Sequence, residues 1–116
     1  MIIGTGIDVV DIKRFTESLE RTAGLKARIF TDSEQGLGPS SLAARFAAKE
    51  ALAKALGETE IFNLQDVEIF NQPSGKPDFR FHGAVAEKLS GATVHLTLSH
   101  DAGIASAMVI IERRDS

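Results

Sequence analysis

The feature that most constrains this chain is residues 40–57, SSLAARFAAKEALAKALG, its longest uninterrupted helix signal, which carries charges where a buried helix should have none. Alanine recurs throughout, Leu42, Phe46, Leu52 and Leu56 supply bulk, Ser40 or Ser41 can cap the start, and Gly57 can end it in a left-handed conformation. At about 100° per residue, Leu42, Phe46 and Ala53 fall on one side and Ala48, Leu52 and Leu56 on nearly the opposite side. Protein must cover two faces, so this is the expected central helix. Glu50 and Lys54 stand one turn apart, with Phe46 a turn earlier on the same ridge. By base rate such a pair is a solvated bridge worth a few tenths of a kcal/mol. The sharper reading is that Glu50 holds a cation while Lys54 and Arg45 address an anion.

A chain of 116 residues makes one domain, 1–116, able to bury a core without metal or disulfide staples. It has no cysteine, which excludes thiolate zinc sites, cysteine nucleophiles and a disulfide framework, and fits a reducing cytosol. The start, MIIGTGIDVVDIKRF, is too short an apolar run for a membrane span and lacks the basic lead and cleavage site of a signal peptide. A soluble, cytoplasmic protein with no membrane partner is expected. A net charge of −3, no Trp or Tyr, and no basic stripe argue against a nucleic-acid partner. Locally the balance reverses: in 13–28, Lys13, Arg14, Arg21, Lys26 and Arg28 outnumber Glu17 and Glu20, a patch that can attract an acidic partner.

In chain order, 2–10 reads as a strand in which Gly4 and Gly6 mark either a bulge or a close approach of another backbone or a ligand. Asp8, set in the apolar run IDVV, needs a partner if buried. Asp11 looks like the N-cap of a helix with Ile12, Phe15 and Leu19 inward and Arg14 and Arg21 outward, ending at Gly24. Residues 25–34 make a short helical or irregular passage, and 34–40, EQGLGPS, a loop. After the connection 58–63, strands are expected at 66–70 and 76–82 around the turn 71–75, with Phe79 and Phe81 on one face. A short helix at 83–89 precedes strands 93–99 and 104–111 joined by the turn 100–103. The tail 112–116 is expected to fray.

Ser99, His100 and Asp101 have the residue types of a hydrolase triad, but consecutive residues of an extended chain point in different directions and cannot form the relay. His95 and His100 lack a paired imidazole, so zinc is not expected, and His95 reads as a surface residue. Asp8 and Glu50 are the only acids that the pattern places in strongly apolar surroundings. Two hard carboxylates suit Mg²⁺, which keeps waters and shares substrate phosphates; with Arg45, Lys54 and Lys76 they would make a phosphate or pyrophosphate site.

GTGIDVVDIKRF near the start, RFAAKEALAKALG in the middle, SGKP after a strand and LSH before a closing apolar strand occur together and in order. In these motifs the chain resembles the phosphopantetheinyl transferase family, in its short bacterial holo-acyl-carrier-protein synthase type, over nearly its whole length. One departure is the stretch 34–40, shorter than the family's usual connection into the central helix. The resemblance implies an α+β fold with an antiparallel sheet wrapped around a long central helix. It also implies transfer of the phosphopantetheine arm of coenzyme A to a serine of an acyl carrier protein or carrier domain, releasing adenosine 3',5'-bisphosphate. Asp8 and Glu50 would hold Mg²⁺, Arg45 and Lys54 would stabilise phosphates, and Lys54 would protonate the leaving group. The base is either Glu50 or a metal-bound water activated by Asp8. Gly75, Lys76, Pro77 and His100 would line the nucleotide end of the coenzyme A groove, which in this family lies between subunits of a homotrimer. Arg14, Arg21, Lys26 and Arg28 would meet the acidic carrier protein. The rival readings are a non-catalytic module binding coenzyme A or another phosphate ligand on the same scaffold, and, more weakly, a Mg²⁺-dependent phosphatase.

Overall fold

The computed structural model describes residues 1–57 and 63–114. Strand β1 (Ile2–Asp11) runs into helix α1 (Ile12–Arg21), followed by the short helices α2 (Leu25–Ile29) and α3 (Asp32–Gln35) and the long helix α4 (Pro39–Leu56). A 3₁₀ turn (Leu64–Asp66), the hairpin β2 (Val67–Asn71) and β3 (Pro77–Phe81), helix α5 (Gly83–Lys88) and the hairpin β4 (Ala92–Asp101) and β5 (Ile104–Arg113) complete it. The mixed architecture of helices and antiparallel strands around a long helix is the expected one. Its strands divide into two sheets, β1-β5-β4 and β2-β3.

Helix α4 is buried on nearly every side because alanine permits close approach all round: Ala43, Ala47, Ala48, Ala51 and Leu52 have no exposed surface. The three-stranded sheet lays its alternate residues on it, with Gly6 and Val10 of β1, Ala105, Ala107, Val109 and Ile111 of β5 and Leu96 of β4 buried. Both glycines of the IIGTGIDVV run mark a close approach: a Cβ on Gly4 would lie 2.1 Å from the carbonyl oxygen of Ala55, and one on Gly6 would lie 1.9 Å from that of Ala51. The β1–β5 register also shifts between Ile2 and Gly4, so a bulge accompanies the contact. Phe15, the buried residue of α1, stacks on Phe46 with ring centres 4.7 Å apart.

Several local expectations are corrected. Helix α4 begins at Pro39 after Gly38, with no side-chain cap, so neither Ser40 nor Ser41 caps it; proline's missing N–H costs nothing at that position. Gly57 does close it, at φ 73°. Helix α1 ends at Arg21, and Gly24, left-handed at φ 79°, precedes α2 instead. The stretch 34–40 is not all loop: Glu34 closes a capping box with Thr31 at the start of α3, and Pro39 and Ser40 are already helical. His100 and Asp101 pair with Ala105 and Ile104 inside the β4–β5 ladder. The turn is Ala102-Gly103, at φ 50° and 80°, the positive pair that a two-residue hairpin requires. Of the expected connection 58–63, residues 58–62 lie outside the described residues, as do 115 and 116 of the tail.

Among the described residues, the acids buried most deeply are Glu34 and Glu68, not Asp8 and Glu50. Glu34 (1% exposed) meets the ammonium of Lys49 (0% exposed) at 2.7 Å. Lys49 also donates to the carbonyls of Ile29 and Leu64, while Glu34 accepts from the N–H groups of Thr31 and Ile69. With every donor of the ammonium engaged, the pair ties α2, α3, α4, the 3₁₀ turn and β2 together, and removing one partner would strand a buried charge. Burial lowers the pKa of Lys49 against the opposing pull of Glu34. Glu68 accepts from the hydroxyl of Ser33 and bonds the ring of His82, contacts that hold its pKa below the ordinary carboxylate range.

Candidate functional site

Asp8 and Glu50 reach one pocket from different elements. Asp8 lies in the row of β1 that faces α4, two residues beyond Gly6, where the strand is closest to the helix. Glu50 is half-buried on α4. With Asp11, Arg14, Ser18 and Phe46 they line a cavity of about 410 Å³. Burial raises the pKa of Glu50, the negative charge of Asp8 raises it further, and Lys54 opposes both. The two carboxylates therefore sense each other across the pocket.

Lys54, one turn beyond Glu50, does not bridge to it. Its ammonium donates to Oδ1 of Asp8 and to the carbonyl of Ile7, both at 3.0 Å, crossing from helix to strand. The solvated i, i+4 bridge is thus replaced by a contact between β1 and α4. Among the described residues no group of three or more metal-ligating side chains occurs. Two carboxylates without sulfur or paired imidazoles fit a hard divalent cation that takes its other ligands from water and phosphate.

The anion-binding candidates collect elsewhere. Arg45, buried on another face of α4, lines a second pocket of about 220 Å³ with Ser41, Asn71, Gly75, Pro77 and His100. Its guanidinium donates to the carbonyl of Ile69 at 3.4 Å and to Oδ1 of Asn71 at 3.5 Å. Burial lowers its pKa, with the charge of Glu34 opposing. Asn71 went unread in the sequence, where it looked like a turn residue; its place beside Arg45 depends on how the β2–β3 hairpin docks. Lys76 is exposed on the hairpin turn and does not line this pocket, although Gly75 and Pro77 on either side of it do. The two pockets share no lining residue, so within one chain Arg45 and His100 do not join Asp8, Glu50 and Lys54.

Among the basic residues of 13–28, Arg14, Arg21 and Arg28 are exposed and Lys26 is half-buried, with Arg14 on the rim of the carboxylate pocket. His95 is a surface residue bonded to Glu112 at 2.8 Å.

The family model described as "ACPS: 4'-phosphopantetheinyl transferase superfamily" matches residues 4–105. The holo-[acyl-carrier-protein] synthase of Clavibacter michiganensis subsp. michiganensis is 51% identical over 115 residues, covering 97% of each chain. Among solved structures, the holo-[acyl-carrier-protein] synthase of Neisseria meningitidis superposes with a TM-score of 0.88 at 32% identity, covering 97% of this chain and 100% of that one. The holo-(acyl-carrier-protein) synthase of Bacillus anthracis in complex with CoA (3',5'-ADP) superposes with a TM-score of 0.82 at 32% identity, covering 98% and 99%.

Proposed function

The chain belongs to the 4'-phosphopantetheinyl transferase superfamily, and from that premise we propose that it is a single-domain holo-acyl-carrier-protein synthase that moves the phosphopantetheine arm of coenzyme A onto a serine of an apo acyl carrier protein. The observation that carries this reading is the meeting of Asp8 and Glu50 in one pocket with Lys54 on the Asp8 carboxylate. In the reaction the serine oxygen attacks the phosphorus next to pantetheine, the bond to the bridging oxygen breaks, and adenosine 3',5'-bisphosphate leaves. Asp8 and Glu50 are the residues that would hold Mg²⁺, which when bound would neutralise charge on the pyrophosphate. The serine proton passes either to Glu50 or to a water held at Asp8. Lys54 carries the proton that the leaving phosphate needs, and its charge stabilises the oxygen that departs.

Arg45, Gly75, Pro77 and His100 take the nucleotide end of coenzyme A in this reading. Their pocket shares no lining residue with the carboxylate pocket within one chain, which is consistent with a groove completed by a second copy. The resemblance implies a homotrimer. Assembly is further supported by the outer face of β1 and β5, where Ile3, Ile7, Val9, Ile104 and Met108 are exposed together. No helix among the described residues is long and apolar enough to cross a membrane, and a cytoplasmic location belongs to the same proposal.

Incubation with coenzyme A, Mg²⁺ and apo carrier protein should add the mass of the arm to the carrier protein. Coenzyme A binding without that gain would make the protein a binding module, and release of inorganic phosphate would make it a phosphatase.

Arg14, Arg21, Lys26 and Arg28 are the residues offered to the acidic carrier protein in this reading, and Arg14 is the one that lines the carboxylate pocket. For Arg14→Glu, the apparent KM for the carrier protein rises about tenfold and loses part of its salt dependence, while that for coenzyme A stays nearly unchanged. Steady-state kinetics with each substrate varied in turn checks this. If both constants moved together, or neither did, Arg14 would have no part in docking.

A further inference from the structure

The contact that Lys54 makes is costly to explain as a stabilising bridge. Its side chain is 52% exposed against 18% for Asp8, and a lysine so placed gains little from an ion pair in water. Yet its ammonium is held by two oxygens of β1, Oδ1 of Asp8 and the carbonyl of Ile7, at the carboxylate that with Glu50 forms the cation site proposed above. A divalent cation approaching Asp8 competes for the same oxygen and repels the ammonium.

We propose that Lys54 is a latch on that site: it neutralises Asp8 until a divalent cation displaces it, and the displacement frees its ammonium for the phosphates of the incoming substrate. The inference rests on the reading of Asp8 and Glu50 as cation ligands and adds an order of events to it. The geometry permits the movement. Lys54 sits in the last turn of α4, its four-carbon stem is half in solvent, and its partners belong to the opposing strand, so rotation about the side chain breaks the contact without moving either backbone. Held on Asp8, the ammonium is partly neutralised and a poor phosphate ligand. Released beside a bound cation, it regains its full charge where the anion arrives. Loading of the cation and readiness for the phosphate are thereby coupled through one side chain.

The test is direct binding of Mn²⁺, followed by the paramagnetic resonance signal of the free ion, to the wild-type protein and to Lys54→Met, Lys54→Arg and Asp8→Asn. Circular dichroism and urea unfolding of each variant establish that it is folded. Removing the positive charge should tighten Mn²⁺ binding about tenfold in Lys54→Met, the size expected for a unit charge a few ångströms from a divalent ion in a largely aqueous site. Lys54→Arg, which keeps the charge, should stay within about threefold of wild type. Coenzyme A should then tighten Mn²⁺ binding more in wild type than in Lys54→Met, since only the wild type has an ammonium to transfer to the phosphates. Equal or weaker Mn²⁺ binding by Lys54→Met, with a site still lost in Asp8→Asn, overturns the latch and leaves the cation site standing. If neither wild type nor Lys54→Met shows a site that depends on Asp8, the cation reading falls and the latch falls with it.

Discussion

Glu50→Gln and Asp8→Asn should each lower turnover by on the order of a hundredfold or more while the fold survives. Each substitution keeps the shape of the side chain and deletes one negative charge from a two-carboxylate set, so the loss falls on cation binding and on the proton that the serine must give up. Stability should move the other way. Burial and the charge of Asp8 raise the pKa of Glu50 above its ordinary value, so the folded state holds this proton more tightly than the unfolded chain does. Its contribution therefore favours folding at low pH and is lost as pH rises through the raised folded pKa, above which an ionised carboxylate beside Asp8 costs stability. In chelator-treated protein at neutral pH, Glu50→Gln should unfold at no lower urea concentration than wild type. The transfer assay read by intact mass, run beside urea unfolding, checks both halves. Full activity at ordinary Mg²⁺ concentrations would remove the altered residue from the site. Chelation of the wild-type protein should likewise stop transfer without unfolding it.

The second large effect is structural. Gly6→Ala places a methyl group 1.9 Å from the carbonyl oxygen of Ala51 and 2.9 Å from the amide nitrogen of Ala55. Both are backbone atoms of α4, which cannot rotate aside, so β1 must lift from the helix by an ångström or more (roughly the shortfall from ordinary van der Waals contact). The expected cost is about 3 kcal/mol or more, since the overlap lies at the main sheet–helix contact. Activity should fall beyond what unfolding explains, because Asp8 is the next residue of the same inward row and would move away from Glu50. Glu87→Ala, at an exposed position of α5 away from both sheets' contacts with α4, serves as the control and should change stability by less than about 0.5 kcal/mol. A wild-type-like urea midpoint for Gly6→Ala would show that the glycine does not set the strand–helix spacing.

These two effects mark how far the sequence could be read. The carboxylates were legible because Asp8 stands out in an apolar strand and Glu50 lies on a helix with apolar residues on opposite sides. The resemblance carried by the motifs GTGIDVVDIKRF and RFAAKEALAKALG then implies one chemistry for both. What Lys54 touches was not legible: i, i+4 spacing is a statement about one helix, and its partner turned out to be a strand packed against that helix. Arg45 was assigned to the same phosphate site as Glu50, yet five residues along a helix turn a side chain well away, and the hairpin that covers it supplies Asn71 and Pro77 instead.

Local order was determined by the chain itself. The N-cap at Asp11, the left-handed stop at Gly57, the two hairpins and the alternation of β1 rest on interactions within a few residues, whose cost and gain are the same wherever the segment sits. Glu34 and Lys49 show the other case. Fifteen residues apart, one in a stretch that reads as loop and the other in the charged part of a helix, each taken alone looks solvated. Only the docking of α2, α3 and β2 around α4 takes both from water and obliges them to pair, because a buried charge must find its counter-charge in whatever the packed fold places beside it.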